Sequence, residues 1–151
     1  MVTKPDQLIL LVEDSPEDYE ATVRSLSKAG LANPIFRCEN GETALDYLFR
    51  RGDFASRHNA ARPGLILLDL DLPGIDGREV LAQIKNDPEL KTIPVVVFTI
   101  SNDEQEVEKC YQAGANGYVK KPIDLESYLK AINRLTNYWF EIVVLPKPAK
   151  K

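Results

Sequence analysis

Five short apolar runs recur along the chain, Leu8–Val12, Ile35–Cys38, Leu65–Leu68, Ile93–Phe98 and Gly117–Lys120, with longer amphipathic stretches between them. No other feature narrows the fold as far. Several runs are continuous rather than alternating, as strands covered on both faces of a parallel sheet are. The stretches between them read as helices: Pro16–Lys28, Gly41–Arg50, Gly77–Lys85, Asp103–Ala113 and Leu125–Tyr138. The first has Ser15 as its N-cap, Pro16 at its first position and an end near Gly30. The last carries Leu125, Tyr128, Leu129, Ile132 and Leu135 as one apolar stripe. Strand alternating with helix in this way predicts a doubly wound α/β sandwich.

The bulk properties remove several classes of function. A length of 151 residues suits one domain with a substantial core. The net charge of -4 supplies no positive field for nucleic acid. The apolar runs are far shorter than a membrane span, and the start "MVTKPDQLILLVED" lacks a signal-peptide pattern. Cys38 and Cys110 have no paired spacing, so both are expected reduced, which fits the cytoplasm. His58 is the one histidine, which excludes multi-histidine metal sites; its surroundings, "ASRHNAARPG", suggest solvent. The stretch from Gly52 to Gly64 reads as a long solvated connection.

The polar residues are placed unusually. In "LILLDLDLPGIDG" a buried-looking run drives straight into Asp69, with Asp71 and Asp76 following. A carboxylate is costly to desolvate unless something pairs with it. Glu13 and Asp14 follow the first run, Thr99 ends the fourth, and Lys121 follows the fifth and precedes Pro122. All lie at the C-terminal ends of predicted strands, where ligands of open α/β sheets collect. Carboxylates gathered there repel one another, and a hard cation such as Mg²⁺ resolves the conflict with one or two carboxylates and a phosphate oxygen. The chemistry this invites is in-line phosphoryl transfer to Asp69, with Thr99 and Lys121 on the equatorial oxygens. Taken singly, each residue has a plainer role. Glu13 and Asp14 suit a helix N-terminus, Asp76 suits a cap for the helix at Gly77, and Thr99, Ser101 and Lys121 suit a surface loop.

Four motifs occurring in order make the pattern specific. The chain resembles the receiver domains of bacterial two-component signalling in "LLVEDS", "LLDLDLPGIDG", "VVVFTIS" and "AGANGYVKKP". The resemblance covers roughly residues 6 to 138 and implies a flavodoxin-like receiver fold, a five-stranded parallel sheet in the order 2-1-3-4-5 with a C-terminal extension. It implies that Asp69 accepts a phosphoryl group from a sensor histidine kinase, and that the chain is otherwise no enzyme. It also implies a Mg²⁺ site, open to Mn²⁺ or Ca²⁺, made by Glu13, Asp14, Asp69 and the Asp71 backbone carbonyl. Thr99 and Lys121 would take the phosphoryl oxygens, Tyr118 would be the aromatic switch that follows Thr99, and the Lys121–Pro122 bond would be cis. Two residues depart from the family pattern: Glu13 stands where Asp is commoner, and Ile100 where a small residue is usual.

The pattern ends near Tyr138, giving a receiver at 1–138 and an arm at 139–151. The arm is too short for a DNA-binding domain, but it is apolar. Tyr138, Trp139 and Phe140 are followed by Ile142, Val143, Val144 and Leu145 before Pro146 and Pro148. Either it folds back over its own core, or it docks on another subunit as an exchanged arm or added strand. The expectation is a homodimer through the last helix, fifth strand and arm. This extension and the long loop before the acceptor strand resemble the phytochrome-associated single-domain response regulators, which implies a bacteriophytochrome kinase as partner. Two rivals remain on sequence grounds. One is a haloacid-dehalogenase-type phosphatase, whose D-x-D motif lies on the first core strand rather than the third. The other is a receiver-shaped dimer module that is never phosphorylated. A flavodoxin-like cofactor protein fits less well, because the first loop has no Ser/Thr/Gly-rich phosphate cradle.

Overall fold

The apolar runs form one parallel sheet in the computed structural model, which describes residues 7–56 and 61–146. The strands are β1 (Leu8–Val12), β2 (Ile35–Cys38), β3 (Pro63–Leu68), β4 (Val95–Thr99) and β5 (Gly117–Lys120), ordered β2-β1-β3-β4-β5. Five helices connect them or follow: α1 (Pro16–Lys28), α2 (Gly41–Phe49), α3 (Gly77–Lys85), α4 (Glu104–Gln112) and α5 (Leu125–Asn137).

The continuous apolar runs are explained by cover on both faces. Leu10, Val12, Ile66, Leu68, Val95 and Val97 face α2, α3 and α4 in one buried cluster. Their neighbours Ile9, Leu11, Leu65, Leu67 and Val96 belong to the opposite cluster, and Phe98 joins Tyr128 and Ile132 of α5. Successive side chains of a strand point to opposite faces, so both parities must be apolar here. Side-chain caps start four of the helices: Ser15, Asn40, Asp76 and Asp124 each accept a backbone N–H of the first turn.

One stretch differs from expectation, and another follows one of two open alternatives. The connection before β3 is anchored at both ends rather than simply solvated. Gly52–Phe54 makes a 3-10 turn, and Phe54 packs edge-on against Phe36 and Tyr47. Tyr47 OH donates to the Ala61 carbonyl at 2.6 Å, and Arg62 donates to the Leu48 carbonyl. His58 lies outside the described residues. The open one is the arm. Tyr138–Ile142 forms a π-helical turn that carries on from α5, and residues 139–145 supply no strand to the sheet. Phe140 and Leu145, 5% and 8% exposed, enter the cluster of Ile9, Leu11, Leu65 and Val96, with Trp139 and Val143 partly buried against it. Within this chain the arm therefore folds back. Burying two large apolar side chains against a nearby sheet stabilises it more than a lone strand edge would. Tyr138, Ile142 and Val144 stay exposed.

Candidate functional site

Backbone hydrogen bonds carry the ladder one residue past the strand ends, and this aligns the polar residues. Asp69 N–H donates to the Val12 carbonyl at 3.0 Å, Glu13 N–H to the Cys38 carbonyl at 2.9 Å, and Lys121 N–H to the Thr99 carbonyl at 2.6 Å. Glu13, Asp69, Thr99 and Lys121 therefore emerge side by side, all buried. Gly77 lets α3 start directly against this edge, since a Cβ there would lie 2.3 Å from the Asp69 carbonyl oxygen.

The Lys121 ammonium is the electrostatic centre. It donates to Glu13 Oε1 at 2.7 Å, Asp18 Oδ2 at 2.8 Å and Asp69 Oδ2 at 3.0 Å. Burial alone would drive the proton off this lysine. Its hydrogen bonds to Asp18 and Glu13, with the charges of Glu13 and Asp69, more than offset that and raise its pKa above the ordinary lysine value. Burial pushes Glu13 up to about 7, with the Lys121 hydrogen bond and charge holding it lower than burial alone would. The other Glu13 oxygen accepts Ser15 N–H, and Asp69 Oδ1 accepts Asp71 N–H, each at 3.2 Å.

Glu13, Asp14 and Asp69 each offer an oxygen within 4.8 Å of the others, with Asp14 exposed toward solvent. Three acids this close, two of them buried, match the oxygen-rich donor set of a hard divalent cation. The residues therefore fit such an ion. Thr99 Oγ1 is buried and has no hydrogen-bond partner, a costly state for a hydroxyl unless a ligand atom meets it.

Tyr118, half-buried on β5, donates its hydroxyl to the Ser101 carbonyl at 2.8 Å and to Glu106 Oε1 at 3.0 Å. Glu106 also pairs with Arg78, which holds Asp76 at 2.7 Å. One expectation is corrected: no described peptide bond is cis, so Lys121–Pro122 is trans. An X–Pro bond prefers trans by about 0.5–1 kcal/mol.

Sequence reasoning missed Asp18 and Glu106. Asp18 carried a weak signal: an acid in the first turn of a helix that starts beside Asp14. That position is also where any helix favours an acid, so the pattern alone did not single it out.

Residues 9–133 match the family model described as "Response regulator receiver domain". Response regulator Rcp1 of Synechocystis sp. is 40% identical over 144 residues, 95% of this chain and 96% of that protein. The crystal structure of its Mn²⁺-bound form superposes with a TM-score of 0.87 over 93% of this chain and 99% of that one. The phosphorylated cyanobacterial phytochrome response regulator RcpA is 37% identical, with a TM-score of 0.89 over 94% and 99% of the two chains. The bacteriophytochrome response regulator RtBRR is 42% identical, with a TM-score of 0.73 over 95% and 84%.

Proposed function

The chain belongs to the response regulator receiver domain family, and we propose on that premise that Asp69 accepts a phosphoryl group from the phosphohistidine of a sensor histidine kinase. An Asp69 oxygen attacks phosphorus in line and forms a P–O bond. The P–N bond breaks, and its electron pair stays on the imidazole nitrogen, which takes up a proton. The observation that carries this is the Thr99 hydroxyl, buried and unpartnered, on the residue whose carbonyl accepts Lys121 N–H, while the Lys121 ammonium sits 3.0 Å from Asp69. A phosphoryl oxygen would satisfy the hydroxyl and pair with the ammonium. Glu13, Asp14, Asp69 and the Asp71 carbonyl would hold Mg²⁺, which neutralises charge on the transferring group. With Glu13 and Asp69 engaged by such a cation, the Lys121 ammonium would be available to the phosphate.

Tyr118 is the output side of the site. Its hydroxyl leaves Ser101 and Glu106 when Thr99 bonds the phosphoryl group, which shifts the balance between two arrangements of this region. The partner kinase is a bacteriophytochrome. Support comes from the names of RcpA and RtBRR, a phytochrome and a bacteriophytochrome response regulator. The working unit is a receiver spanning residues 1–138 with residues 139–151 as an arm, associating as a homodimer through α5, β5 and that arm. A groove of about 450 Å³ runs there, lined by Tyr111, Tyr118, Tyr138 and Trp139 among others. The acceptor follows β3, not β1, which disfavours the haloacid-dehalogenase-type alternative.

Transfer from a bacteriophytochrome kinase autophosphorylated with labelled ATP tests the reading. The label is expected to move to the unaltered chain and not to Asp69→Asn. Label retained on each kinase tried, with acetyl phosphate equally inert, would remove it.

A further inference from the structure

An ammonium has three protons to donate, and Lys121 uses all three on carboxylates. Two of those, Glu13 and Asp69, belong to the cluster suited to a cation; Asp18 does not. Asp18 is nonetheless built into place. Its N–H donates to Ser15 Oγ at 3.2 Å, and its carbonyl accepts Thr22 Oγ1 at 2.9 Å and Tyr128 OH at 3.4 Å. Thr22 is fully buried and Tyr128 is 5% exposed, so this turn of α1 is anchored against α5. The Asp18 side chain is also the most open of the three acids, 30% exposed against 3% for Glu13 and 8% for Asp69.

We propose that Asp18 is a positioning residue of the phosphoryl-transfer site, acting through Lys121. This rests on the reading of Asp69 as acceptor. A divalent cation competes with the ammonium for Glu13 and Asp69. Asp18 is the carboxylate that the ammonium keeps when the other two turn away. It holds Lys121 beside Asp69, where the phosphoryl oxygen arrives. Without Asp18 the ammonium falls back on Glu13 and Asp69 and competes with the metal for both.

Mg²⁺ titration of the full chain, followed by calorimetry, tests this. Asp18→Asn raises the Mg²⁺ Kd by about five- to tenfold, within the span of coupling between residues in contact. In a Lys121→Met background the same substitution has a clearly smaller effect. Glu20→Gln removes a negative charge from an exposed position on α1 and leaves the Kd within about twofold; this control stands even if Lys121→Met does not fold. The proposal is overturned if Asp18→Asn binds Mg²⁺ like the unaltered chain. It is equally overturned if the loss is the same size with and without Lys121, or if Glu20→Gln loses as much. An unaltered chain that binds no Mg²⁺ and takes no phosphoryl group from acetyl phosphate overturns the acceptor reading and this proposal together. Normal phosphorylation with an unshifted Asp18→Asn Kd overturns only the role of Asp18.

Discussion

Glu13 is a buried acid that a metal needs ionised and that burial keeps partly protonated, with a pKa of about 7. Its proton is held below that pH and released above it. Mg²⁺ affinity is therefore expected to rise as pH climbs through 7, with proton release on binding near neutrality. Calorimetry in buffers of different ionisation enthalpy reads that release, and Glu13→Gln should abolish its pH dependence. Thr99 makes the opposite kind of case, a polar group with no partner. Replacing it with Val removes an unsatisfied hydroxyl at nearly constant volume. Thr99→Val should thus gain about 1 kcal/mol against urea while losing the response of Tyr118 to phosphorylation, as followed by its ring NMR signals. At this scale the sequence was most readable where chemistry departs from packing. Asp69 after four apolar residues and Lys121 before Pro122 have no ordinary core role. Asp18 and Glu106 hid because acids in a first helical turn are common.

Elements were legible where periodicity is set by burial on two faces. β1, β3 and β4 are buried along nearly their whole length, and the continuous runs marked them. The sequence leaves the arm open between folding back and docking on another subunit, because Ile142–Leu145 is β-branched and apolar and propensity alone does not say what it packs against. In this chain Phe140 and Leu145, five positions apart, reach the same buried cluster. Phe140→Ala should accordingly cost about 3–5 kcal/mol in denaturant unfolding of the isolated chain. A loss below about 1 kcal/mol would place this ring in a partner rather than in its own core. The cis Lys121–Pro122 bond was carried over with the family resemblance, and no residue in this sequence dictates it independently.

For the whole molecule, the doubly wound architecture explains why the chemistry lies where it does. Parallel strands bring residues 13, 69, 99 and 121 to one edge, although they are far apart in the chain. The opposite output, association, is expected from what folding leaves open. Tyr138, Ile142 and Val144 are 51%, 68% and 87% exposed in the segment that follows α5. Sedimentation velocity should find a dimer, and Ile142→Asp should weaken its association by at least about tenfold. The most direct test of the central claim is intact mass spectrometry after incubation with acetyl phosphate, with and without Mg²⁺. The expected result is a gain of one phosphoryl group that requires Mg²⁺ and is absent in Asp69→Asn. No gain on the unaltered chain, or an equal gain on Asp69→Asn, would contradict it.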